Sequence, residues 1–216
     1  MIRTVYLDLD GPVLDGKFRH YSCYSEILHR FGYKPMELEQ YWGMKRLRQD
    51  RNKQLAASGA TGIYNDFIKL WLEMIEDKIY LKLDQLHPLV SETLKSWKSQ
   101  DIRIILVTMR NRRDNLLWQL EQLALLPLFD DIIAVGSKES GEAKSEAVRN
   151  FITSSSNNSD LWVGDTEIDL KAARSLGIPI CLLSCGLREA EYLKSLEPDY
   201  LMQDLASIHN LRILNI

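Results

Sequence analysis

The fold is decided by one short stretch, Thr4-Val5-Tyr6-Leu7-Asp8-Leu9-Asp10-Gly11, in which an apolar run leads directly into two carboxylates and a glycine. The apolar run is continuous rather than alternating, which predicts a strand covered on both faces, as in a parallel sheet. At the carboxyl end of such a strand the chain turns, so the side chains of Asp8 and Asp10 can reach one crevice. Gly11 permits the tight turn, which Pro12 then stiffens. The stretch therefore predicts a ligand site at the carboxyl edge of a parallel sheet.

Further apolar runs of the same kind predict strands at residues 102–107, 132–135, 161–163 and 178–183. Helical patterns lie between the later strands, and a helix predicted at residues 167–176 is closed by Gly177 and Pro179. This alternation predicts an α/β fold, a Rossmann-like doubly wound parallel sheet. The other helical positions are Leu116, Leu120, Leu123 and Ala124, then Ala143, Ala147, Val148 and Phe151.

Residues 16–85 differ from the rest of the chain, because no convincing strand stands out in them. Apolar residues recur there at helical spacing, and the first series stops at Gly32. We therefore expect a core domain of residues 1–15 and 86–216, interrupted by a small all-helical cap domain of residues 16–85. The two apolar series are Tyr24, Ile27, Leu28 and Phe31, then Phe67, Trp71, Met74 and Ile75.

Composition indicates an ordinary globular chain of 216 residues with 45% hydrophobic and 26% charged residues. A net charge of -3 gives no general basic field, so a nucleic-acid partner is disfavoured. No apolar run is long enough for a membrane span and no signal peptide is recognisable, so we expect a cytoplasmic protein without membrane contact. The three cysteines, Cys23, Cys181 and Cys185, lack CxxC spacing and are interpreted as buried reduced thiols.

A second acidic pair follows the strand at residues 161–163, in the segment Gly164-Asp165-Thr166-Glu167-Ile168-Asp169. Asp165 and Asp169 are one helical turn apart and lie on the same side of the helix start. With Asp8 and Asp10 they place four carboxylates in one crevice, which repel each other unless a cation lies among them. Oxygen ligands without a histidine cluster favour Mg²⁺ over Zn²⁺.

A hydroxyl and a lysine complete the pattern. Thr108 ends the strand at residues 102–107, and a lysine supplies a compact charge for phosphoryl oxygens. In this order the motifs resemble those of the haloacid-dehalogenase-like superfamily, and the insertion after the first motif is similar to the family's C1-type cap. Within the family, the chain looks like a capped phosphatase, similar to phosphoglycolate phosphatases and β-phosphoglucomutase-like proteins.

The resemblance implies a role for each motif. Asp8 would be the nucleophile that forms an aspartyl-phosphate, and Asp10 the general acid and base. The Asp8 side chain, the Asp10 backbone carbonyl and Asp165 would hold Mg²⁺, with Asp169 as support. Thr108 and a lysine would hold the transferring oxygens; Lys144 is favoured over Lys138 because its spacing to the last motif is similar to the family's.

Two segments depart from the pattern or extend it. Met109 and Arg110 follow Thr108 where relatives commonly have Asn or Gly, so Arg110 either contacts the substrate or lies at a charged loop edge. With Gly11, Thr108 and Lys144, these two residues are the predicted substrate-binding set. The cation-rich residues 45–53 are either a solvated helix face or a source of cations for an anionic substrate.

The expected function is Mg²⁺-dependent hydrolysis of a small phosphorylated metabolite. A phosphomutase shares the aspartyl-phosphate, and the sequence has no clear discriminator against it. A 2-haloacid dehalogenase is disfavoured, because displacement at carbon does not require Asp10. A non-catalytic binding module on the same fold is the alternative from another class. The helical insertion is expected to act as a lid that excludes water and chooses the substrate.

Overall fold

The structure is a computed structural model that describes residues 2–136, 141–151 and 159–210. The chain divides into two compact units, one formed by Met1–Asp15 with Leu86–Ile216 and the other by Gly16–Gln85. The strands are β1 (Thr4–Leu7), β2 (Leu14–Asp15), β3 (Gln85–Leu86), β4 (Arg103–Thr108), β5 (Asp131–Ala134), β6 (Asp160–Gly164), β7 (Ile180–Leu183) and β8 (Tyr200–Met202). The α-helices are α1 (Lys17–Arg30), α2 (Leu38–Arg46), α3 (Arg51–Ala56), α4 (Tyr64–Met74), α5 (Lys78–Leu81), α6 (Val90–Ser99), α7 (Arg113–Gln122), α8 (Gly141–Phe151), α9 (Glu167–Leu176) and α10 (Ala190–Ser195).

The first unit is built on a six-stranded sheet in the order β5-β4-β1-β6-β7-β8. Every neighbouring pair is parallel, and Leu7 of β1 is aligned with Leu106 of β4 and Val163 of β6. The chain builds outward from β1 to β5 and then returns to the other side of β1, so the strand order reverses between β1 and β6. Open sheets of this kind form their ligand crevice at that reversal. The predicted doubly wound α/β fold is confirmed.

Both faces of this sheet are covered. Val5 and Leu7 belong to a core cluster that includes Leu94 of α6 and Leu120 of α7. Tyr6, which points the other way, belongs to a second cluster with residues of α8, α9 and α10. Because alternate residues of β1 are buried on opposite faces, the strand has no solvent-exposed side, which explains its uninterrupted apolar run.

Helix boundaries follow the predicted signals at α9 and depart from them at α7. Helix α9 ends at Gly177, whose φ of 67° is the left-handed conformation expected there. In α7 the predicted helical series is wrong at its end, because Leu123 is already the C-cap and Ala124 has a φ of 54°. The amide of Leu125 donates to the carbonyl of Leu120, which closes the helix without a glycine.

The Gly16–Gln85 unit has its own aromatic core. The rings of Tyr24 and Tyr41 stack with their centroids 4.4 Å apart. A buried ion pair with 2.7 Å between Arg19 Nε and Asp84 Oδ1 joins the first and last parts of the unit. Phe31 was expected on the apolar face of α1, but it lies at the C-cap and is exposed.

Residues 45–53 do not form one helix face, so that interpretation is wrong. Lys45 belongs to the last turn of α2 and Arg51 begins α3, with a turn between them. The guanidinium of Arg51 lies 4.2 Å from the ring centroid of Trp71 and 5.1 Å from that of Phe67. Such cation–π contacts hold Arg51 against aromatic residues of its own unit.

In the described part of the chain, no helix combines the length and the apolar character that crossing a membrane requires. The three cysteines are free thiols. Cys23 and Cys181 are buried as predicted, whereas Cys185 is only half-buried because it follows β7 in the loop near Gly11.

Candidate active site

Three carboxylates meet at the reversal point of the sheet. Asp8 follows β1, Asp165 follows the neighbouring strand β6, and Asp169 lies in the first turn of α9. One oxygen from each lies within 4.8 Å of the others, and all three side chains are buried. Burial raises the pKa of Asp8 to about 7 although Lys144 acts to lower it, because Asp169 and Asp10 add repulsion. The site therefore concentrates negative charge where little water screens it.

Lys144 of α8 is the cation among these carboxylates. Its Nζ lies 2.8 Å from Asp169 Oδ1 and 3.0 Å from Asp8 Oδ1, and its side chain is buried. Burial acts to lower the pKa of Lys144, but Asp169 and Asp8 together raise it above its usual value. Lys144 is thus charged, and it joins the first and last acidic motifs. The alternative residue, Lys138, lies outside the described residues.

Asp169 also shapes the turn that carries Asp165. Its Oδ2 accepts a hydrogen bond from the Thr166 hydroxyl at 2.7 Å and from the Thr166 amide at 3.2 Å, and the bond from the amide is part of a capping box at the start of α9. Its Oδ1 accepts a hydrogen bond from the Trp162 indole at 3.4 Å. Burial acts to raise the pKa of Asp169, but Lys144, Thr166 and Trp162 lower it overall. The Asp169 carboxylate is therefore ionised, and its hydrogen bonds to Lys144, Thr166 and Trp162 fix its orientation.

Asp165 is enclosed by backbone. The amide of Leu187 donates to its Oδ2 at 2.5 Å. A Cβ on Gly11 would lie 2.0 Å from that oxygen and one on Gly186 would lie 2.1 Å from it, so only glycine fits at either position. The Oδ1 atom of Asp165 is buried without a hydrogen-bond partner among the described residues. Burial raises the pKa of Asp165 well above its usual value, with Asp169 and Asp8 adding to the effect.

Asp10 lies outside this group of three carboxylates and pairs with Arg110. The Nε and Nη2 atoms of Arg110 donate to the two oxygens of Asp10, each over 2.7 Å. The Arg110 side chain is only 4% exposed, whereas that of Asp10 is 22% exposed. Arg110 is therefore a buried partner of the first motif rather than a charged loop edge.

Thr108 is the last residue of β4, next to β1. It is completely buried, and its hydroxyl has no hydrogen-bond partner in the described part of the protein. A buried hydroxyl without a partner costs stability unless a ligand or water satisfies it. Met109, which follows, is half-buried.

When all four of its carboxylates are ionised, the site has an excess of two negative charges. Asp8, Asp10, Asp165 and Asp169 contribute four carboxylates, and Lys144 and Arg110 are the cations that contact them. The donor set consists of oxygen atoms, and one of them, Asp165 Oδ1, is buried without a partner. A hard divalent cation fits both observations.

The family model of the haloacid dehalogenase-like hydrolases matches residues 2–177, a range that includes Asp8, Asp10, Thr108, Arg110, Lys144, Asp165 and Asp169. The chain belongs to this family. It is accordingly a hydrolase, and its acidic group can bind a metal ion.

Individual known proteins also resemble the chain over most of its length. A protein from Caldanaerobacter subterraneus subsp. tengcongensis, named "Putative pyrophosphatase PpaX", is 24% identical over 94% of this chain and 91% of its own. A haloacid dehalogenase-like hydrolase from Streptococcus pneumoniae has a TM-score of 0.76 at 18% identity, with 97% of each chain covered. A "predicted phosphoglycolate phosphatase" from Haemophilus somnus 129PT has a TM-score of 0.75 at 17% identity, again with 97% of each chain covered. The two solved structures therefore share the fold of this protein.

Sequence reasoning missed the loop that follows β7. Gly186 and Leu187 contact Asp165, and Arg188 pairs with Glu167. The one available signal was a glycine shortly after a predicted strand, which is too common to indicate a site. The contact with Asp165 comes from the backbone, so no side-chain motif marks it.

Proposed function

We propose that this protein hydrolyses a small phosphate monoester in a Mg²⁺-dependent reaction, through an aspartyl-phosphate on Asp8. The observation that carries the proposal is the joint arrangement of Asp8, Asp165 and Lys144, which combines an excess of negative charge with a buried cation beside the proposed nucleophile. A phosphate dianion could not enter so acidic a site without a metal ion to neutralise it.

The Asp8 and Asp165 side chains and the Asp10 carbonyl would hold Mg²⁺. Asp169 would support it from behind, because its oxygens already bind Lys144 and Thr166. When bound, Mg²⁺ would supply positive charge for the phosphoryl oxygens and for the Asp8 carboxylate. The partnerless Oδ1 of Asp165 supports this assignment.

In the first half of the reaction, an oxygen of Asp8 attacks phosphorus and the bond from phosphorus to the ester oxygen breaks. Hydrogen bonding from the Leu9 amide, 2.9 Å from Asp8 Oδ1, and the nearby Lys144 ammonium fix the direction of the carboxylate. Asp10 gives a proton to the departing alkoxide, which leaves as the alcohol.

In the second half, Asp10 takes a proton from a water molecule as that water attacks phosphorus. The bond from phosphorus to the Asp8 oxygen breaks, and inorganic phosphate leaves. Arg110 donates one hydrogen bond to each oxygen of Asp10, so each oxygen keeps a second lone pair that can carry the transferred proton. Arg110 is thus proposed to set the resting position of the acid and base.

Thr108 and Lys144 are proposed to hold the transferring phosphoryl oxygens. The buried hydroxyl of Thr108 gains a partner when a phosphoryl oxygen lies beside it. Gly11, Met109 and Arg110 complete the proposed substrate-binding set, with the substrate drawn from small phosphorylated metabolites. The Gly16–Gln85 unit is proposed to choose among them as a cap, and the cytoplasmic location stays a prediction.

Hydrolysis of inorganic pyrophosphate is a second candidate. The relative from Caldanaerobacter is named a pyrophosphatase. In this chain the Arg110 guanidinium lies beside Asp10, the residue proposed to face the leaving oxygen, and a guanidinium binds an anionic leaving group in bidentate fashion. A comparison of alkyl phosphates, hexose phosphates and pyrophosphate as substrates distinguishes these candidates. Formation of an isomeric hexose phosphate instead of free phosphate would identify a phosphomutase.

The experiment that tests the proposal is phosphate release from p-nitrophenyl phosphate with Mg²⁺ or with EDTA, by the unmodified protein and by Asp8→Asn. We expect Asp8→Asn to retain less than about one thousandth of the activity, because the amide lacks the nucleophilic oxyanion. Asp101→Asn makes the same chemical change in an exposed turn before β4 and serves as the matched control. Full activity of Asp8→Asn, or activity unaffected by EDTA, contradicts the proposal.

A further inference from the structure

The loop that follows β7 is tied to the start of α9 by an ion pair that the reaction scheme does not use. Arg188 Nε donates to Glu167 Oε2 at 2.9 Å, and its Nη2 donates to Glu167 Oε1 at 3.0 Å. Both side chains are largely buried, with 14% of Arg188 and 12% of Glu167 exposed. Two parallel hydrogen bonds in such a setting fix the relative position of their two segments.

The same guanidinium also holds the residue that contacts Asp165. Arg188 Nη1 donates to the carbonyl of Leu187 at 3.1 Å, and the amide of Leu187 donates to Asp165 Oδ2 at 2.5 Å. Glu167 is only two residues beyond Asp165 in the chain. One ion pair therefore ties both the strand end that carries Asp165 and the loop that binds its carboxylate.

We infer that Arg188 and Glu167 are positioning residues for the metal ligand Asp165. Their ion pair keeps the Leu187 amide on Oδ2, so Oδ1, which has no hydrogen-bond partner among the described residues, is left for the cation. Partners behind a ligand that fix its orientation commonly change metal affinity by about 10- to 100-fold when they are removed. This inference rests on the proposed function, because it requires Mg²⁺ at Asp165.

Arg188→Gln separates positioning from simple electrostatics by the sign of its effect. Arg188 is a cation near the proposed Mg²⁺ site and interacts electrostatically with Asp165, so its charge alone disfavours the metal. If charge were its only influence, removing it would strengthen Mg²⁺ binding. If it positions the Leu187 amide, removing it weakens binding, by about 10-fold or more.

The experiment is calorimetric titration of the full-length protein with Mg²⁺, for the unmodified chain and for Arg188→Gln, Arg188→Lys and Arg103→Gln. We expect Arg188→Gln to bind about 10- to 100-fold more weakly. The Mg²⁺ affinity of Arg188→Lys should lie between those of Arg188→Gln and the unmodified chain, because lysine keeps the positive charge but cannot make the two parallel hydrogen bonds to Glu167. Arg103→Gln removes the exposed pair with Asp131, at the opposite end of β4 from the site, and should bind normally.

Phosphate release and melting temperature complete the test. At saturating Mg²⁺ the rate of Arg188→Gln should return close to that of the unmodified protein, although its metal-free melting temperature should fall because the largely buried Glu167 loses its partner. Unchanged or stronger Mg²⁺ binding by Arg188→Gln overturns the inference, as does a loss of rate that saturating Mg²⁺ does not restore. If Arg188→Gln fails to fold, Arg188→Lys decides by the same criterion. Failure of the unmodified protein to bind Mg²⁺ refutes the proposed metal site itself.

Discussion

The guanidinium of Arg110 donates a hydrogen bond to each carboxylate oxygen of Asp10, both at 2.7 Å, although the two residues are 100 positions apart in the sequence. This pair joins the loop after β1 to the loop after β4, two neighbouring strands of the sheet. Because the Arg110 side chain is almost fully buried, the pair is poorly screened by solvent. In the proposed reaction, the residue that moves protons therefore starts from a defined position.

The first prediction concerns the dependence of Asp10 on the leaving group. We expect Asp10→Asn to lower kcat for an alkyl phosphate by about 10²- to 10⁴-fold, because the alkoxide then departs without a proton. The loss should be much smaller for the first step with p-nitrophenyl phosphate, whose leaving group is a weak base. Burst kinetics with both esters measure this step. Equal losses for both leaving groups would contradict a general-acid role.

The second prediction links Mg²⁺ to pH. Burial raises the pKa of Asp8 from 3.8 to about 7, so the metal-free folded protein retains a proton that the unfolded chain releases near pH 4. The stability contributed by this proton is present below pH 4 and is lost as the pH rises through about 7. Mg²⁺ competes with the proton, so it should raise the melting temperature more at pH 8 than at pH 6.

Thermal unfolding with Mg²⁺ or EDTA at both pH values measures this difference. Asp165 has a pKa that burial raises in the same direction, so Asp165→Asn should remove most of the Mg²⁺ effect at pH 8. Asp101→Asn, in an exposed turn, should leave it unchanged. A Mg²⁺ effect that is larger at pH 6 would run against the predicted sign.

The third prediction concerns the space around Asp165. A Cβ on Gly186 would lie 2.1 Å from Asp165 Oδ2, so Gly186→Ala must displace the carboxylate or the loop. We expect Mg²⁺ affinity and phosphate release to fall by about 10-fold or more, as for other losses of ligand orientation. Gly62→Ala, where a Cβ meets no atom within 4 Å, is the matched control. Normal Mg²⁺ binding by Gly186→Ala would refute the close contact.

The fourth prediction tests stability away from the site. Ala124 has a φ of 54°, a conformation that costs a non-glycine residue roughly 1 kcal/mol. Ala124→Gly should therefore raise the free energy of unfolding by up to about 1 kcal/mol, as measured by urea denaturation. Ala147→Gly, inside α8, should lower it by about 1 kcal/mol. Destabilisation by both changes would show that Ala124 is not strained.

Local signals in the sequence were sufficient for much of the fold. Residues 167–176 could be predicted as a helix because Gly177 and Pro179 end it by backbone geometry alone. The strand β1 could be predicted because burial on both faces leaves a continuous apolar run. The strand β8 was missed, since it is short, lies at the sheet edge and is only half-buried. Leu123 and Ala124 were assigned to α7 because no glycine marks its end.

The site divides in the same way. Asp8, Asp165 and Asp169 could be predicted to meet, because neighbouring parallel strands end at one edge of the sheet. The partner of Asp10 could not be predicted, because a contact between residues 100 positions apart leaves no periodic trace. The contact from the Leu187 amide to Asp165 could not be predicted either, because every residue except proline carries the same backbone donor.

The fluorescence of Trp162 can report on ligand binding at the candidate active site. Its ring stacks on Tyr6 with centroids 5.7 Å apart, and its indole nitrogen donates to Asp169 at 3.4 Å. Indole emission shifts with the local electric field, and this indole is rigidly held beside the carboxylates. Arrival of an ion or a phosphate should therefore change the fluorescence of the protein without any added dye, which makes ligand titration possible before a substrate is known.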